Sequence, residues 1–154
     1  MSAFETEDFS IRAMLAGDLG AVLELERRCH VCPWSAQLFE EELSRDYSTV
    51  DLLWQAERLV GFLCSWQICD ELHVLNVAVD PLFRRRGLGG LLLRHVLERS
   101  CANGCTRALL EVRAGNSGAI CLYQGFDFKI IGHRAKYYPD GEDALLMERE
   151  ITRD

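Results

Sequence analysis

The stretch from Val77 to Gly90, VAVDPLFRRRGLGG, restricts the fold more than any other part of the chain. An apolar strand ends there, and Pro81 stops it because proline removes a ladder donor. Arg84, Arg85 and Arg86 fill the loop that follows, and glycines open a helix. Free N–H groups at a helix start attract anions, and the helix dipole adds to the attraction. An acidic residue in the first turn normally satisfies that end, but this first turn holds no Asp or Glu. Gly87 and Gly89 lack a Cβ, so the backbone there can come close to a pyrophosphate. On pattern alone two readings stand open: a cradle for an external anion, or a plain glycine-rich turn with surface arginines. Two other phosphate motifs fail. A dinucleotide fingerprint needs glycine where Leu92 stands, and a P-loop needs Lys then Ser or Thr where Leu91 and Leu92 follow Gly90.

Around this segment the pattern predicts strands and helices in the order β-α-α-β-β-β-α-β-α-β-β. Phe9 to Met14 reads as a first strand. Asp18 is expected to cap a helix that runs to about Cys29, and Ser35 a second helix carrying Leu38, Phe39 and Leu43. Thr49 to Ala56, Leu59 to Cys69 and Leu72 to Val79 read as a meander. A helix from Gly87 to about Ala102 ends at Asn103-Gly104, two residues that tolerate left-handed backbone. Arg107 to Arg113 reads as a strand, and Asn116 opens a short helix through Tyr123. Phe126 to His133 and Glu142 to Ile151 form a closing hairpin across Pro139-Asp140-Gly141. Meander strands followed by crossovers give an α/β fold, a mixed sheet with helices on both faces, in one domain over residues 1–154.

The 154 residues carry a net charge of -7, which argues against direct nucleic-acid binding, since that needs a basic face. An acidic protein suits a basic peptide partner, and solubility alone explains the charge equally well. No apolar run reaches the roughly 20 residues that span a bilayer. Met1 to Asp8 lacks the basic start and apolar stretch of a signal peptide, so the expectation is a cytoplasmic protein without a membrane partner. Seven cysteines, an odd number, suit a reducing compartment. Cys29-x-x-Cys32 and Cys101-x-x-x-Cys105 lack the converging spacing of a zinc site, so no metal is expected.

Arg84-Arg-Arg-Gly87-Leu-Gly89 resembles R/Q-x-x-G-x-G/A, the coenzyme A pyrophosphate signature of the GCN5-related N-acetyltransferases. More of the chain resembles one branch, the bacterial RimI-type ribosomal-protein alanine N-acetyltransferases. Leu75-Asn-Val-Ala-Val-Asp-Pro81 looks like its fourth strand, and Leu110-Glu-Val-Arg-Ala-Gly-Asn116 like its L-E-V-R-x-x-N turn. Ala119-Ile-Cys-Leu-Tyr123 looks like its A-I-x-L-Y helix, and Arg28-Cys-His-Val-Cys-Pro-Trp-Ser35 like its R-x-H-x-x-P-W-S segment. Tyr137-Tyr-Pro139 and Glu142-Asp-Ala144 resemble its closing hairpin.

The resemblance implies acetyl-coenzyme A as cosubstrate. It implies transfer of the acetyl group to the N-terminal alanine of a small-subunit ribosomal protein, by a monomer or weak dimer. Val77, Ala78 and Val79 would offer backbone groups to the acetyl-pantetheine arm. Arg85, Arg86, Gly87, Leu88, Gly89 and Gly90 would hold the pyrophosphate. Glu111 would be the general base, Asn116 a cofactor contact and Tyr123 the general acid. Pro33-Trp34-Ser35 lies where the family places its acceptor-binding loop. Glu40, Glu41, Glu42 and Glu71 are candidates for recognising a basic peptide. Read as residues alone, Glu111 could be a paired surface carboxylate, Tyr123 and Trp34 core aromatics and Asn116 a helix cap. Other readings are an acetyltransferase for lysine or small amines, and a non-catalytic coenzyme A-binding module. Asp127 stands where the family usually has glycine, and it tolerates positive φ better than most residues.

Overall fold

The computed structural model describes residues 8–152, so the acidic start at Met1 to Asp8 lies outside the described residues except for Asp8. Its strands are β1 (Phe9–Ala13), β2 (Ser48–Gln55), β3 (Arg58–Ile68), β4 (Glu71–Val79), β5 (Arg107–Arg113), β6 (Lys129–Arg134) and β7 (Ala144–Glu150). Its helices are α1 (Leu19–Cys29), α2 (Ala36–Ser44), α3 (Leu88–Ala102) and α4 (Ser117–Gly125). The seven strands form one mixed sheet in the order β1-β2-β3-β4-β5-β7-β6. The chain divides into two compact units. The first runs to Cys64 and resumes over Asn76–Leu92; the second holds Ser65–Leu75 and everything from Leu93 onward.

In the first unit β1 and β2 pair antiparallel, Phe9 opposite Gln55 through Ala13 opposite Asp51. Every residue of β3 from Leu59 to Ser65 is buried. A strand covered on one face alternates, so seven buried residues in a row mean cover on both. Gly61 sits where a Cβ would stand 2.9 Å from the Ala78 carbonyl oxygen, so only glycine lets the backbone come that close. Val22, Leu25, Phe39, Leu52, Leu53, Phe62 and Leu63 are fully buried. Ser35 caps α2 as expected, its hydroxyl accepting from the Leu38 N–H at 3.3 Å. Asp18 behaves differently. Its carboxylate makes no cap bond to α1. It turns back to the Leu15 N–H at 2.8 Å and the Arg12 guanidinium at 2.8 and 2.9 Å, closing a 3-10 turn over Ala16–Asp18. The nearer donor and the cation outcompete the helix start.

In the second unit β4 and β5 run parallel over four rungs only, Glu71 opposite Arg107 through Val74 opposite Leu110. β5 pairs antiparallel with β7 along its whole length, and β7 with β6. A register shift interrupts the β6–β7 ladder between Ile130 and Gly132. β6 starts at Lys129, three residues later than the sequence predicts, because Phe126, Asp127 and Phe128 turn the chain. The Asp127 and Phe128 N–H groups bond the Gln124 and Tyr123 carbonyls at 3.0 Å, and Asp127 takes φ 68°. Asp127 thus takes the left-handed backbone that it tolerates better than most residues.

Candidate active site

The cradle segment belongs to the first unit. Val77 and Val79 are half-buried and Ala78 is buried between them on the opposite face, as strand alternation requires. Asp80 ends the strand. It is fully buried, and its carboxylate accepts from the Leu82 N–H at 3.0 Å and from Arg28 and Arg58 at 3.1 Å each. Burial alone would push this carboxyl up. The Leu82 N–H and the two guanidinium groups outweigh it and hold the pKa below the ordinary aspartate value. Phe83 is buried under two cations, the same Arg58 at 4.9 Å and Arg86 at 5.1 Å from its ring centre. Arg84 stands beside the half-buried Cys29 thiol. Burial pushes that thiol up, and Arg84 offsets part of the rise. The Cys29 thiol donates to the Val79 carbonyl at 3.4 Å.

Arg85 takes φ 64° and Gly87 φ 75°, so the loop curls before α3 begins. A Cβ at Gly87 would meet nothing within 4 Å, so that face of the loop is open. Leu91 makes the first-turn bond back to the Gly87 carbonyl at 3.0 Å. The N–H groups of Leu88, Gly89 and Gly90 come before it, and helix geometry gives them no acceptor within the helix. The first turn contains no acid. Leu88 has its side chain in the core, 4% exposed, which anchors the turn. These residues fit a diphosphate: a run of amide donors, cations around them and no competing carboxylate in the turn.

The candidate acid–base residues belong to the second unit. Glu111 lies opposite Leu146 in the β5–β7 ladder and is the first β5 residue past the parallel rungs. Its side chain is 36% exposed, with Arg134 at 3.7 Å. The Tyr137 hydroxyl donates to its Oε1 at 3.2 Å. It opens on a cleft of about 230 Å³ lined by His73, Leu109, Leu110, Arg134, Leu146 and Met147. Tyr123 is 7% exposed, its ring 5.7 Å from that of Phe128. Burial raises its pKa far above the ordinary phenol value, and the neighbouring Tyr138 adds to the rise. Tyr138 is pushed up to about 12, first by burial and then by the Glu111 charge. Tyr137 is raised by burial, then by the charge and hydrogen bond of Glu111. Asn116 caps α4, its side-chain oxygen accepting from the Ala119 N–H at 3.1 Å.

Tyr137, Tyr138 and Arg134 join this cluster without having been marked as site residues in the sequence. The signal for them was the aromatic pair just before Pro139-Asp140-Gly141. The loop that carries them is pinned from both sides. Arg113 holds Asp140 at 2.8 Å and Glu142 at 2.9 Å and lies 4.2 Å from the Tyr138 ring centre, while Glu142 accepts from the Gly115 N–H at 2.9 Å.

The acidic candidates for peptide recognition divide. Glu42 is 5% exposed, with Arg45 and Ser48 on its two oxygens, so it is a buried structural carboxylate and not a peptide contact. Glu71 is shared between His73 and Arg107. Glu41 pairs with Arg45 at 3.7 Å, and Glu40 is exposed. Trp34 packs on Phe39, ring centres 5.2 Å apart, and Phe39 on Phe62 at 5.7 Å. The seven cysteines are free thiols.

Comparison with known proteins identifies the family. The sequence profile of the acetyltransferase (GNAT) family matches residues 19–128. The chain belongs to that family and by that membership is an acyltransferase. A [ribosomal protein bS18]-alanine N-acetyltransferase of Salmonella typhimurium is 36% identical over 146 residues, covering 93% of this chain and 98% of the relative. The crystal structure of the ribosomal-protein-S18-alanine N-acetyltransferase from Escherichia coli superposes with a TM-score of 0.88 at 34% identity, covering 96% of each chain. Arabidopsis thaliana NAA60 in complex with acetyl-CoA superposes at 0.84 with 18% identity, covering 94% of this chain and 99% of that one, a likeness of fold.

Proposed function

We propose that the protein moves the acetyl group of acetyl-coenzyme A to the N-terminal alanine α-amine of a small-subunit ribosomal protein, with Glu111 as general base and Tyr123 as general acid. The acceptor class rests on the relative from Salmonella typhimurium, named as a bS18-alanine N-acetyltransferase and matched over nearly its full length. The reading of the chemistry is carried by one observation: a carboxylate, held by a tyrosine hydroxyl, faces an open cleft at the point where the parallel ladder ends.

In this reading residues 1–154 form one catalytic domain in the cytoplasm. No helix among the described residues is long and apolar enough to cross a membrane. Acetyl-coenzyme A supplies an activated thioester. The amides of Arg85 to Gly90 and the guanidinium groups of Arg85 and Arg86 hold its diphosphate, while backbone groups of Val77 to Val79 and the Asn116 side chain contact the rest. An α-amine with a pKa near 8 is mostly ammonium at neutral pH, so Glu111 takes its proton directly or through a water. A backbone N–H of β4 faces the developing oxyanion. The raised pKa of Tyr123 keeps its hydroxyl protonated through the neutral range, and in this reading it gives that proton to the leaving thiolate.

Mass spectrometry of a mixed pool tests the reading. The pool contains peptides with free or blocked N-terminal alanine, lysine peptides and polyamines, incubated with enzyme and acetyl-coenzyme A. Label on free α-amines of alanine-first peptides is the expected result. Label confined to lysine or polyamine overturns the acceptor, and no label anywhere overturns the activity.

A further inference from the structure

The first unit holds a buried carboxylate that the proposed chemistry leaves unused. Glu26, on α1, is 1% exposed. Its Oε2 accepts from the Trp34 backbone N–H at 2.9 Å. Its Oε1 accepts from the Asn76 side chain at 3.0 Å, and Asn76 is itself 8% exposed on β4. The His30 ring nitrogen Nε2 lies 3.5 Å from Oε1, buried and without a hydrogen-bond partner among the described residues. One side chain therefore reaches three places: its own helix end, the loop between α1 and α2, and the strand residue just before Val77.

A buried carboxylate with its partners adds little net stability beyond what a wholly apolar set of side chains in the same place would give. What a hydrogen-bonded carboxylate adds is a fixed arrangement of its partners. Here the partner most in need of fixing is the loop. Its tip is apolar and uncovered, with Val31 78% exposed and Cys32 and Pro33 exposed beside it. The Trp34 ring packs on Phe39, but ring packing alone leaves the backbone free to rock. The carboxylate bond to the Trp34 amide removes that freedom and refers the loop to β4 through Asn76.

We infer that Glu26 is a positioning residue for the acceptor: it ties the Val31 to Trp34 loop to β4, so that this loop meets the acceptor peptide in one arrangement. The inference rests on the acetyl-transfer reading above and extends it to acceptor binding. Glu26 does not touch the reacting atoms. Its effect is confined to how well the peptide is received, and the cradle at Arg85 to Gly90 is untouched by its loss.

The experiment uses the full-length chain with the Glu26→Leu variant. Leucine keeps the volume and removes both acceptors; it leaves the Trp34 N–H and the Asn76 amide without them, so a lower Tm is expected alongside the effect on the peptide. Peptide KM is expected to rise about tenfold, the usual scale for losing a charge-assisted hydrogen bond. The acetyl-coenzyme A dissociation constant, read by calorimetry, should stay at its wild-type value. Hydrogen exchange at the Trp34 amide should speed up. Asn76→Leu removes one arm of the tie and gives the same pattern in smaller measure, which covers the case of a poorly folding Glu26→Leu. The exchange pair Glu26→Gln with Asn76→Asp rebuilds acceptor and donor in reverse and should restore peptide KM. An unchanged peptide KM, or a cofactor affinity that falls in step with it, overturns the inference alone. A wild type that acetylates no peptide overturns the activity on which it rests, and the inference with it.

Discussion

Replacing Glu111 by glutamine isolates the base from the fold. Among the described residues the carboxylate has two partners, the Tyr137 hydroxyl at 3.2 Å and the Arg134 guanidinium at 3.7 Å. Glutamine keeps an oxygen for the hydroxyl. The ion pair joins side chains that are 36% and 55% exposed, and solvent reduces such pairs to under about 1 kcal/mol. Tm should therefore move by no more than about 3 °C, and acetyl-coenzyme A should bind as before. Turnover is another matter, because a positioned base contributes about 10² to 10⁴ in rate. The loss should also depend on pH in a set direction. An α-amine with a pKa near 8 is about one-tenth free base at pH 7 and about nine-tenths at pH 9. The gap between wild type and Glu111→Gln should accordingly narrow by about tenfold over that range, as the amine stops needing help. The assay is thiol release from acetyl-coenzyme A with an alanine-first peptide, run from pH 6.5 to 9.5 beside calorimetry. A variant that turns over within about threefold of wild type at pH 7, far short of a base's usual share, refutes the role. So does a gap that stays constant with pH.

Removing the Tyr137 hydroxyl with Tyr137→Phe takes away the donor that fixes one Glu111 oxygen; kcat at pH 7.5 should fall by about tenfold, the usual scale for losing a hydrogen bond to a charged group, while acetyl-coenzyme A affinity read by calorimetry stays the same. Asp80→Asn leaves Arg28 and Arg58 without their buried anion, and since those arginines are 40% and 50% exposed the cost is about 2 kcal/mol, a Tm fall of about 4–8 °C by differential scanning calorimetry. The sign with pH follows from the lowered pKa of Asp80: its contribution is complete above the unfolded value near 3.9 and disappears as pH falls through the lower folded value, so the Tm gap to the variant should hold at pH 6–8 and close below about pH 4. Asp127→Gly relieves a non-glycine residue at φ 68° and should raise stability by up to about 1 kcal/mol, read as a higher denaturation midpoint in urea with unchanged slope.

Residues whose role depends on neighbours in sequence were legible from it. Ser35 and Asn116 cap their helices because a cap bond spans three residues, and the glycine-rich helix start carries its meaning in one short stretch. Asp18 was misread because a sequence window does not show that Arg12, one strand away, and the Leu15 amide compete for the same carboxylate. Glu42 looked like part of a surface acidic run. It is the one member that turns inward, and only packing against Arg45 and Ser48 reveals that. Phe126 to Phe128 read as strand because its residues favour strands, but the Tyr123 carbonyl captures the chain for one more turn. Tyr137 was the hardest to see. Its partner Glu111 lies 26 residues away, and nothing local marks one of two adjacent tyrosines as the one whose hydroxyl reaches the carboxylate.

The register shift between Ile130 and Gly132 has a bearing on how the protein behaves when crowded. β6 ends the strand order on its side, and it carries Ile130 and Ile131 about half exposed. Straight and flat, such a strand would invite a stray chain to zip on and grow toward fibrils. The bulge breaks the regular spacing of donors and acceptors that templating needs, and Lys129 and Arg134 place charge at either end of the same stretch. The greasy rim is thus guarded by its own irregularity, and straightening it by deleting one residue would be expected to trade solubility for stickiness.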